Sequence, residues 1–111
     1  MYNNKVNDGS YFAVEAWMRT KLNLKGNHLL IFALIYGFTV NSAEQKFYGS
    51  QEYIQEWFGI TPTTVIKILR ELTKAELLMK TSGTKLGFVS KYVYTANLEK
   101  IEELKNSTSK K

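Results

Sequence analysis

Residues 50–75 read SQEYIQEWFGITPTTVIKILRELTKA, and the architecture of the chain turns on them. The stretch parses as two helices joined by a tight turn. The first starts near Ser50, whose hydroxyl can cap free backbone N–H groups. It ends at Phe58, because Gly59 can take the positive φ that closes a helix. The second helix has stronger start signals, with Thr61 as N-cap and Pro62 at the first helical position, where its missing N–H costs nothing. Val65, Ile68, Leu69 and Leu72 then recur at the period of a helix with one buried face. On the opposite side Thr63, Lys67, Arg70 and Lys74 are spaced four, three and four apart, so they line one polar, mostly cationic stripe. Thr64 lies beside its N-terminal end.

A short helix, a glycine turn and a second helix with a basic outer stripe have the form of a helix-turn-helix. In that motif the second helix enters the major groove of DNA and its N-terminal residues meet base edges. With Gly59 as the turn glycine, Ile54, Phe58, Ile60, Val65 and Ile68 fill the motif's apolar positions. Gln55 departs from it, standing where a small residue permits close packing. The expectation is a looser crossing of the two helices or a Gln55 side chain turned outward. The plainer alternative is an ordinary amphipathic pair whose Lys and Arg form a solvated face.

At 111 residues the chain suggests one domain, and 44% hydrophobic residues can fill a small core. The absence of cysteine excludes a disulfide framework and thiol chemistry, and points to a reducing, cytoplasmic setting. MYNNKVNDGSYF has no apolar run after a basic start, so no secretory signal is expected. The run LLIFALIYGF, residues 29–38, is about half a membrane span and reads as a buried helix. Net charge is +5. Between Ile60 and Tyr92, six basic residues face two acidic ones, a net of +4, so most of the excess lies on the second helix and the residues after it. That favours an anionic partner such as nucleic acid.

On the N-terminal side, residues 1–10 are polar and read as a disordered start. Tyr11–Val14 read as a short strand, followed by a turn of helix through Trp17 and Met18. Trp17 is expected in the core or at a subunit interface. Asn27 is expected to cap a central helix running to Phe38 and apolar nearly all round. His28, the single histidine, is expected at the surface or as a cap, without a chemical role. Residues 39–49 read as a loop, with Phe47 and Tyr48 adding a short strand. After the second helix, Leu77–Thr81 and Phe88–Thr95 read as strands around the glycine turn SGTKLG, a β-hairpin. Lys85 lies at its tip, with Lys80, Lys91 and Tyr92 along its edge. Asn97 opens a last helix to about Lys105, with Leu98, Ile101 and Leu104 on one face. The tail NSTSKK is polar.

Catalysis is not expected. There is no phosphate loop, no paired carboxylate at a turn or strand end (Glu102 and Glu103 point apart), no set of zinc ligands, and no sign of a cofactor.

The order of elements is that of a winged helix: a mainly α, α+β fold with a three-helix core containing the helix-turn-helix, a β-hairpin wing, a short N-terminal strand and a C-terminal helix. The chain resembles, more closely, the winged helix DNA-binding domains of phage and plasmid replication proteins, both replisome organisers and initiators. The resembling stretches are YFAVEAWM, LKGNHLLIFALIYGF and FYGSQEYIQEWFGITPTTVIKILRELTKAELL, within residues 11–95, followed by a C-terminal helix and tail over 96–111. Small phage transcription regulators share the pattern. The resemblance implies double-stranded DNA as partner. It places Thr63, Thr64 and Lys67 at base edges, Arg70 and Lys74 at phosphates, and Ser50 and Gln51 at a phosphate through backbone N–H groups. Thr61, at the start of the recognition helix (about 62–75), and Lys85 and Lys91 of the wing complete the DNA-binding set. A homodimer through the N-terminal strand or the C-terminal helix, and replisome proteins, are further partners the resemblance allows. A protein-interaction module of a replication complex is the alternative from another functional class. Whether a longer protein continues past Lys111 stays open.

Overall fold

The structure, a computed structural model, describes residues 8–41, 51–83 and 91–106. In chain order its elements are α1 (Ala16–Thr20), α2 (Gly26–Asn41), α3 (Gln51–Phe58), α4 (Pro62–Lys74), β1 (Leu78–Gly83), β2 (Lys91–Ala96) and α5 (Leu98–Asn106). This is the mainly helical winged helix-turn-helix arrangement.

Helix α2 is the centre. Five consecutive residues, Ile31 to Ile35, are buried, which a helix achieves only when neighbours cover it on all sides. Met18 of α1, Ile54 of α3, Val65, Ile68, Leu69 and Leu72 of α4, Leu78 and Ala96 of the hairpin and Ile101 of α5 complete one core around it. The helix begins at Gly26, one residue before the expected cap, so Asn27 lies in its first turn. It continues to Asn41 rather than ending at Phe38. Thr39 explains the extension: its hydroxyl donates to Ile35 O at 2.9 Å and accepts Ala96 N–H at 2.9 Å, so the last turn is fastened to β2. Residues 42–50, with Phe47, Tyr48 and Ser50, lie outside those described.

Tyr11–Val14 form no strand. The sheet of the described residues has two strands, β1 and β2. The N-terminal segment packs through side chains instead. Phe12 stands edge-on to Trp57 and Phe58, with ring centroids 4.8 and 5.8 Å away, while Tyr11 and Val14 face outward. Trp17 is half-buried against Phe32 and Tyr36, as expected of a core residue, and Lys105 Nζ sits 4.5 Å over its ring.

Helix α4 ends on an unusual residue. Glu76 takes φ +68°, its N–H bonds Thr73 O at 2.9 Å, and Leu77 N–H bonds Leu72 O at 3.0 Å. This is the paired closure that usually calls for glycine at the left-handed position. Buried Leu72 and Leu77 supply the accompanying apolar contact, and Asn97 Nδ2 holds Glu76 O at 3.0 Å. The closure delays β1 to Leu78. The hairpin is antiparallel, from Leu78 opposite Ala96 to Gly83 opposite Lys91. Asn97 Oδ1 then accepts Lys100 N–H at 3.2 Å and caps α5. Ile101 is buried and Leu104 packs on the core, while Leu98 of the same stripe is 36% exposed. No helix of the described residues is long and apolar enough to cross a membrane.

Candidate nucleic-acid interface

The turn between α3 and α4 spans Gly59 to Thr61. Gly59 adopts φ +62° and its N–H bonds Gln55 O at 2.7 Å, ending α3. Thr61 is extended (φ −80°, ψ 158°) and its Oγ1 accepts Thr64 N–H at 3.3 Å, with Pro62 opening the helix. Each feature matches the sequence expectation. Gln55 is half-buried.

These signals aim α4. Val65, Ile68, Leu69 and Leu72 are at most 3% exposed, and Thr63, Lys67, Arg70 and Lys74 are all exposed on the other side. None of the three cations enters an ion pair among the described residues. They stand free for an external anion. The Thr64 hydroxyl lies 3.0 Å from Thr61 Oγ1, and Thr64 is half-buried. It and Thr61 are joined in the helix cap.

Two features of this surface are absent from the sequence reading. Ile66 is 39% exposed although apolar. It lies three residues after Thr63 and four before Arg70, on the flank of the basic stripe and off the buried one. Glu71, the one acid of α4, is turned to the other flank, where its Oε1 lies 2.6 Å from His28 Nε2. That hydrogen bond is the main reason the Glu71 carboxyl sits below the usual carboxylate range. Desolvation opposes it, and the charges of Lys67, His28 and Arg70 add to it. Helical spacing could have found Ile66. No local signal announces a partner 43 residues away.

Gln51 opens α3 and Lys91 opens β2 by their backbones, and their side chains fall outside the described residues, as do Ser50 and Lys85. Lys80 is exposed on β1. Among the described residues no group of His, Asp or Glu could hold a metal ion.

The exposed polar face of α4, the glycine turn and the hairpin after it define a winged helix-turn-helix domain. Residues 22–78, just over half of the chain, match the family described as "Helix-turn-helix domain", and the chain belongs to that family. The match runs from the end of the α1 turn to the first residue of β1. No curated protein and no solved structure matches the chain.

Proposed function

We propose that the protein binds double-stranded DNA by seating α4 in the major groove, in the initiation of phage or plasmid replication. The observation that carries the DNA reading is the triplet Lys67, Arg70 and Lys74, exposed, on one face and without internal ion pairs among the described residues. A cationic face left without ion pairs among the described residues is what a polyanion needs.

In this reading Thr63 and Lys67, nearest the helix start, meet base edges. Arg70 and Lys74 contact phosphates, with Lys85 and Lys91 of the wing and the N-terminus of α3 at Gln51. Thr61 and Thr64 hold the helix start in place. The protein acts by binding alone; its single histidine is engaged with Glu71. Use of the same interface in transcription control would differ in target site and not in docking. The replication role rests on the sequence resemblance.

The test is Lys67→Ala against a target site obtained by selection from random duplexes. If Lys67 reads a guanine, the change costs about 1–3 kcal/mol on that site and relaxes preference at one position. Arg70→Ala weakens all duplexes alike. Wild-type binding by Lys67→Ala would remove this face as the reading head.

A further inference from the structure

A pocket of about 560 Å³ lies between the N-terminal segment, α2 and α3. Its size is within the range of small-molecule sites. None of its lining residues belongs to α4 or the hairpin. Six are aromatic: Tyr11, Phe12, Tyr36, Phe38, Tyr53 and Trp57. Among the described residues Glu15 is the one charged residue lining it, and no described Lys, Arg or His does, in a chain whose net charge is +5.

The formal charge on the described lining is therefore negative, opposite in sign to the net charge of the protein. Burial first, then the charges of Glu15 and Glu102, raise the Tyr36 hydroxyl above the usual tyrosine value. Glu15 is held in place, with Oε1 accepting Trp17 Nε1–H at 2.6 Å. Aromatic faces attract cations through the ring quadrupole, most strongly where water is partly excluded.

We propose that this pocket binds a lipophilic organic monocation. The aromatic walls supply the contact area and Glu15 the complementary charge. The site is separate from the DNA-binding surface and does not depend on that reading.

Tetraphenylphosphonium and tetraphenylborate test it, because they share a shape and differ in sign. Quenching of the protein's tryptophan fluorescence measures each. The general charge of the protein favours the anion, so tighter binding of the cation is the diagnostic result. Tyr11 is 89% exposed, and its loss leaves the core untouched. Tyr11→Ala and Glu15→Gln are each expected to weaken the cation about two- to fivefold. Neither is expected to alter binding to duplex DNA. Tetraphenylborate binding as well as the cation would overturn the proposal. So would wild-type cation affinity in both variants, or no binding of tetraphenylphosphonium.

Discussion

His28 Nε2 lies 2.6 Å from Glu71 Oε1, which ties the first turn of α2 to the last turn of α4. The contact settles the direction of the one carboxylate on a helix that otherwise offers cations. With Glu71 held on the flank, its negative charge stays off the stripe of Lys67, Arg70 and Lys74. It also anchors the helix against the central one from the solvent side.

The pair gives a titration prediction. The Glu71 carboxyl is held below the usual carboxylate range chiefly by the His28 hydrogen bond. A depressed folded-state pKa contributes stability above the unfolded value, and that contribution is lost as pH falls through the folded value. In His28→Ala the Glu71 titration is expected to move upward, part of the way to the ordinary value, since Lys67 and Arg70 remain. Side-chain carbonyl NMR across an acid titration measures it. An unmoved midpoint would show that the contact is not formed in solution.

Glu76 offers a stabilising change. It holds a left-handed backbone that costs an L-residue about 1–2 kcal/mol. Its ion pair with Lys100, at 3.6 Å and with the Glu76 side chain 69% exposed, returns less than about 1 kcal/mol. Glu76→Gly is expected to stabilise the domain by about 0.5–1 kcal/mol in urea denaturation. Gly59→Ala, at φ +62° with open space around the added carbon, is expected to destabilise by about 1 kcal/mol through the backbone alone.

Thr39 fastens the wing to the core. Thr39→Val keeps the shape and leaves the Ala96 N–H buried without its acceptor. The expected loss is about 1–3 kcal/mol, with faster hydrogen exchange at Ala96. Unchanged exchange there would mean that β1 alone holds β2 in register.

Much of the fold is legible in the sequence because it is local. Thr61, Pro62 and Gly59 carry their conformations in their own chemistry, and helical spacing puts Val65 and Lys67 on different sides of α4. The illegible parts depend on residues far apart. Tyr11–Val14 has strand composition, but Phe12 finds Trp57 and Phe58, so the segment packs by its rings. The α2 extension to Asn41 rests on Thr39 meeting Ala96, 57 residues later. Composition misplaces the start of β1 because Glu76 does what a glycine normally does. Among the site residues, the hydroxyl of Thr64 lies within reach of the Thr61 cap. Ile66 carries no signal by type, since single exposed apolar residues are common on any surface.

Ile66 gives a specificity prediction. An exposed isoleucine beside the basic stripe suits the C5-methyl group of thymine. Replacing thymine by uracil in the selected site should weaken the wild-type protein and leave Ile66→Ala unaffected. Equal losses in both proteins would assign the methyl contact elsewhere.

Salt dependence probes α4 as the docking surface for DNA. Binding to random duplex DNA is measured across a salt series for the wild type and for the triple variant Lys67→Ala, Arg70→Ala, Lys74→Ala. Each phosphate contact contributes about 0.9 to the log–log slope. The expected result is a steep fall for the wild type and a slope shallower by about two to three units in the triple variant. A weak, flat response that the three changes leave untouched would show that DNA does not dock on this face.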